Sequence, residues 1–172
     1  MAAILLTILI SYIVTSFFGY VIHWSLHQTW SGFFNKAHMT HHQVLYPASD
    51  FTSDVYRHAG KDSTPRFFAL AASPLILTPL VLWLVGIVPL SVAITAWAVM
   101  GVMGFLHDYI HDAFHIRNHW MTRTPVLRDI FAKWIQLHYL HHVDMGKNFG
   151  IFVFHWDRVF KTFWKSDETK PS

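Results

Sequence analysis

Residues 1–35 and 67–107 of this chain contain no Lys, Arg, Asp or Glu. Crossing the hydrocarbon core of a bilayer takes about 20 predominantly apolar residues in a helix. The first block therefore holds one span, over about 2–22. The second holds two, over 67–88 and 90–106, with Gly86 and Pro89 marking the turn between them. The composition points the same way: 53% of the residues are hydrophobic and only 13% are charged, which leaves a soluble globule little with which to cover its outside. The chain, at 172 residues, has room for one domain.

A hairpin of two spans starts and finishes on one side, so residues 36–66 and 117–170 share a side. All 13 Lys and Arg residues lie in these two stretches. The positive-inside bias makes that side cytoplasmic and places the N-terminus outside. The opening segment lacks the basic start and small-residue cleavage site of a signal peptide, so it is expected to remain. The absence of cysteine excludes disulfides, thiolate-bound haem and cysteine-ligated iron–sulfur clusters within the chain. A net charge of +3 without a basic run or a stacking motif fits attraction to anionic headgroups and predicts no nucleic-acid partner. Trp24, Trp30, Trp120, Trp134, Trp156 and Trp164 flank the polar stretches, as interfacial tryptophans do. Thr124-Pro125 reads as the N-cap and first turn of a helix running towards His142. Residues 165–172 form a polar tail.

The fourteen histidines are grouped. His23 and His27 stand four apart; His38, His41 and His42 form "HMTHH"; His107, His111 and His115 recur every fourth residue; His138, His141 and His142 form "HYLHH". Positions three and four apart share a helix face, so each cluster becomes one face of imidazole just beyond or close to an apolar span. Polar rings so near hydrocarbon are expensive and tend to be functional. Convergence of the four faces would supply enough nitrogen for a pair of ions, and imidazole suits zinc, copper, iron and nickel. Asp108, Asp112 and Asp144 follow His107, His111 and His142 closely. Each is either an acceptor for a spare imidazole N–H or a headgroup-level ion-pair partner for Arg117, Arg123 or Lys147. His58, His119 and His155 fall outside the spacing and read as hydrogen-bonded rim residues.

The series H-x3-H, H-x2-HH, H-x3-H, H-x2-HH, followed by "KNFGIFVFHWDRVFKTFW", resembles the fatty acid hydroxylase/sterol desaturase superfamily of membrane-bound di-iron oxygenases. The resemblance runs from His23 to Trp164. Beta-carotene hydroxylases, which share "LHD" after a span and the late H-x2-HH, are a close relative in pattern. The resemblance implies an all-α integral membrane bundle of three to four spans, a single domain with a histidine-rich helical cap on the cytoplasmic side over 23–66 and 107–164. It implies two iron ions, with zinc as a substitute in purified protein, and O2 as co-substrate. It further implies hydroxylation or desaturation of a lipid-like C–H bond, fatty acyl, sterol-like or similar. The ligands would come from His23, His27, His38, His41, His42, His107, His111, His115, His138, His141 and His142, with either His107 or His115 completing the third cluster. Asn148 of the "NFG" segment joins the three aspartates around them. Electrons would come from a separate ferredoxin- or cytochrome b5-like donor, since no cytochrome b5 segment is fused. Lys161 stands where the family commonly has glycine.

Three other functions compete. A carotenoid ring hydroxylase fits the same ligands. A membrane metal transporter would need carboxylates inside the spans, and the apolar blocks contain none. A bis-histidine haem protein would need paired histidines at similar depth on facing spans.

Overall fold

The computed structural model describes residues 1–57 and 64–165, with side chains described at 1–57 and 72–165. His58 and nearly all of the polar tail lie outside the described residues. The described chain is helical: α1 (Ala2–Leu26), α2 (Phe33–Thr40), α3 (Thr64–Leu84), α4 (Leu90–Phe114), α5 (Trp120–Arg123), α6 (Pro125–Val143) and α7 (His155–Val159). A π-helical turn, His41–Leu45, prolongs α2, and short 3₁₀ turns occupy Thr29–Ser31 and Ala48–Asp50.

Two helices, α1 and α4, are long and apolar enough to cross a membrane, and Ala72–Leu84 of α3 is a shorter apolar stretch. Leu5, Leu6, Leu9 and Ile10 of α1 are exposed, as are Ile94, Val102 and Phe105 of α4. Apolar side chains all round a helix are what a lipid environment demands. On α4 the small residues Ala93 and Ala96, three apart on one face, are buried, which lets helices approach closely where hydrocarbon offers no hydrophobic drive. Pro74 and Pro79 lie inside α3. Near them, the Ile76 carbonyl accepts the Trp97 indole N–H at 2.7 Å, a polar contact made between helices rather than with water. The turn from α3 to α4 uses Gly86 at φ 75°, a left-handed position that glycine takes without strain.

The helices outlast the expected spans, 2–22 and 90–106. The α1 helix continues through His23 to Leu26, and α4 through His107 and His111 to Phe114. Both carry their histidines at the C-terminal end, and α4 packs more extensively on α1 than on any other helix. The α6 helix starts at Pro125 after Thr124, whose hydroxyl bonds back to the Trp120 carbonyl at 3.1 Å instead of capping the helix. Beneath the histidines Phe51, Ile110, Phe114, Met121, Phe131 and Ile151 form a buried apolar cluster.

After α6 the chain turns back along α1. Trp156 donates its indole N–H to Ser16 Oγ at 3.0 Å, Tyr20 stacks on Phe160, and the Tyr20 hydroxyl meets Thr162 Oγ1 at 3.2 Å. Lys161 has φ 60°, a left-handed position of the kind that glycine takes without strain.

Candidate metal centre

The histidine-bearing helix ends meet and sort their rings into two groups. His23, His27, His38, His42 and His141 form one; His41, His115, His138 and His142 form the other; within each, the donor nitrogens lie within 4.8 Å of one another. The sorting follows the motif. In each H-x2-HH the first and last histidines, one turn apart, serve one group, while the middle one serves the other. Thus His38 and His42 join the first group and His41 the second, whereas His138 and His142 join the second and His141 the first. His23 and His27 complete the first group. Their counterparts by pattern are His111 and His115, and the His111 ring centre stands 4.8 Å from those of both His41 and His138. The groups adjoin, with the His42 and His142 ring centres 4.1 Å apart.

Backbone carbonyls fix four of the rings. Nδ1 of His23 donates to Phe149 O at 2.7 Å, His115 to Phe51 O at 2.9 Å, His141 to Lys147 O at 2.6 Å and His142 to Tyr46 O at 2.7 Å. A carbonyl only accepts, so Nδ1 carries the proton and Nε2 of the neutral ring presents a lone pair. Burial holds the imidazoles of His38, His41, His42, His115, His138 and His141 well below the ordinary 6.5, with neighbouring rings adding to the effect. It lowers His142 to about 3 and His27 to about 2.

These neutral rings crowd their lone pairs together. Nε2 of His138 lies 3.2 Å from Nε2 of both His115 and His142, and a single proton on His138 can satisfy only one of them. In the first group the chain of Nε2 contacts runs His42–His38 at 3.0 Å, His38–His27 at 2.9 Å and His27–His141 at 3.1 Å. Nε2 of His23 and both ring nitrogens of His41 are buried with no partner. A cation in each group takes up the crowded lone pairs together with Nε2 of His23 and one ring nitrogen of His41: imidazoles about 2.0–2.1 Å from one ion, with bonds at right angles, stand roughly 3 Å apart. The donor set therefore fits two ions of the imidazole-binding metals.

The remaining sequence candidates lie around these groups. Nδ1 of His107 is 3.5 Å from Asp108 Oδ1, and that of His111 is 3.4 Å from Asp112 Oδ1. His107 belongs to neither group and lines a cavity. Asp144 accepts the Gly146 N–H at 2.9 Å. Asn148, fully buried at φ 53°, donates to the carbonyls of Leu137 and Trp164 and accepts the Trp164 N–H, so it secures the turn after α6 without meeting an imidazole. His119 caps α5, with Nδ1 accepting from Met121 N–H, and His155 opens α7 near Tyr12. The positions around the rings that spacing did not single out are the four carbonyls and Asp157. Its only sequence signal is its place in "HWDRVF".

The cavity that His107 lines has a volume of about 250 Å³ and lies between α1, α3, α4 and residues 149–153. Its walls are mainly apolar, among them Phe18, Ile22, Leu75, Met100 and Met103, with Tyr20, His107 and Asp108 as polar points. Phe149 also lines it, and its ring centre is 5.8 Å from that of His23 and 5.5 Å from those of His27 and His141. A single aromatic ring thus borders both the cavity and the first histidine group.

A family model described as Fatty acid hydroxylase matches residues 8–162. No curated protein and no solved structure matches the chain.

Proposed function

Because this chain belongs to the fatty acid hydroxylase family, whose members are membrane-bound, iron-dependent oxygenases, we propose that it is a di-iron enzyme that hydroxylates or desaturates a lipid-like chain. The observation that carries this reading is a pair of adjoining, lone-pair-rich histidine groups, the first of which shares the ring of Phe149 with an apolar cavity between membrane helices. His23, His27, His38, His42 and His141 would hold one iron; His41, His111, His115, His138 and His142 would hold the other. Bound iron, with O2 and two external electrons, supplies the oxidising power for C–H cleavage, which side chains lack.

The rest of the chemistry belongs to the chain. The apolar walls of the cavity receive an alkyl segment directly from the bilayer and exclude water from it. Phe18, Ile22, Leu75 and Met103 provide contact surface without polar competition, which orients the segment towards the end where Phe149 and His107 stand. The carbonyls of Phe149, Phe51, Lys147 and Tyr46 keep four rings in the tautomer that presents Nε2 inward. Hydroxylation converts R–H, O2, two electrons and two protons to R–OH and water; desaturation takes two hydrogens from adjacent carbons and yields two waters. The side carrying the Lys and Arg residues is taken as cytoplasmic, where a ferredoxin- or cytochrome b5-like donor delivers the electrons.

Expression of the chain in a lipid-rich host, with mass spectrometry of its lipids and pigments, tests this reading. A gain of one oxygen or a loss of two hydrogens on a lipid, together with a pair of irons per purified chain, is expected. An unchanged lipid profile from iron-loaded protein supplied with electrons would refute the proposal.

A further inference from the structure

Asp157 is fully buried, and among the described residues it is the only buried carboxylate. Among the described residues no Lys or Arg forms an ion pair with it. Oδ1 accepts the Phe149 N–H at 2.7 Å and the Thr162 hydroxyl at 2.8 Å, and Oδ2 accepts the Gly150 N–H at 2.8 Å. Every one of these partners is a donor, the pattern of an ionised carboxylate. Gly150 leaves the room this requires, since a Cβ there would stand 2.7 Å from Asp157 Oδ2 and closer still to Val153 O.

The carboxylate holds the peptide on either side of Phe149, whose carbonyl accepts Nδ1–H of His23. A hydrogen-bonded relay thus runs from Asp157 through the Phe149 backbone to His23. The second group is supported differently: His115 and His142 lean on the carbonyls of Phe51 and Tyr46, and the carboxylate beside it, Asp112 at 3.4 Å from Nδ1 of His111, is partly exposed to solvent, so that among the described residues no buried carboxylate stands behind these rings. We propose that Asp157 is a positioning residue for the first group alone, fixing His23 through Phe149 and lending negative charge to a site whose ligands are otherwise neutral. In a poorly screened interior a unit charge at that range acts strongly on a cation.

This inference rests on the metal reading above, and cobalt uptake separates the two. Full-length protein in nanodiscs is stripped with a chelator and titrated with Co(II), each ion being followed by its ligand-field absorption. Wild-type protein is expected to fill two sites. In D157N one site weakens by about 10-fold or more, in the range that loss of outer partners costs, and its absorption shifts while the other is unchanged. T162V removes a hydroxyl contact to the same carboxylate but leaves its charge and both amide contacts, so it binds both ions as wild type does. Equal weakening of both sites in D157N, no weakening, or the same loss in T162V would overturn the proposal. Should D157N not fold, D157E is measured instead: its carboxylate is displaced from the amides by one methylene, selective weakening is again expected, and equal weakening overturns the idea. Wild-type protein that takes up no cobalt would refute the metal reading itself.

Discussion

His141 and His142 are adjacent in the chain but serve different groups. Alanine at either is expected to cost a different ion, with activity falling by more than the roughly 10–100-fold that outer partners cost, while the protein still inserts. Iron analysis of the two purified variants checks this, and full metal retention by either would remove that residue from the ligand set. His107 and His115 make a second contrast. H115Q is expected to lose one ion and H107Q to keep both, since His107 faces the cavity. Spacing alone made the four clusters legible, because three- and four-residue intervals define helix faces. It could not decide which rings share an ion. Nor could it reveal that carbonyls orient four of them, because every residue has a carbonyl and a main-chain acceptor leaves no mark in the sequence.

At the scale of elements, α4 brings Gly101 and Gly104 to the cavity wall, and a Cβ built at either meets nothing within 4 Å. Leucine at Gly104 is therefore expected to fill cavity space without straining the helix. Each methylene of fit in an apolar pocket is worth about 10–200-fold in discrimination, so preference should move by that order towards shorter chains at unchanged iron content. Product profiles from a mixed-chain lipid pool check it, and an unaltered profile would place the substrate elsewhere. Charge-free blocks made α1 and α4 legible but not their ends. Unlike the largely exposed residues before them, His23 and His111 are buried in the protein, so each helix carries on past its apolar run. The π-helical turn at His41 was not legible either, since "HMTHH" has the same spacing as "HYLHH", which stays α-helical. The Thr124-Pro125 start of α6 was legible because proline's fixed φ suits the first helical turn.

For the molecule as a whole, the buried rings make stability depend on acidity. His38, His41, His42, His115, His138 and His141 are held well below 6.5 in the folded state, and His142 at about 3. Once unfolded, each takes up a proton near 6.5, so below that pH the unfolded chain binds more protons than the folded one. Stability of metal-free protein is thus complete above about pH 6.5 and falls as the pH drops, each ring contributing about 1.4 kcal/mol per pH unit. Melting of chelator-treated protein between pH 7.5 and 5 reads this out, and a flat profile would mean the rings are wet. The return of residues 149–163 along α1 was the least legible feature at this scale, because its contacts join positions such as Ser16 and Trp156 that lie at opposite ends of the chain. The pairing of α1–α2 histidines with those of α4–α6 has a wider consequence. Two seats furnished with imidazole alone have no intrinsic reason to differ, so any division of labour between their occupants must come from the neighbourhood: greasy room and a buried carboxylate beside one, an aromatic floor of Phe51 and Phe114 beneath the other.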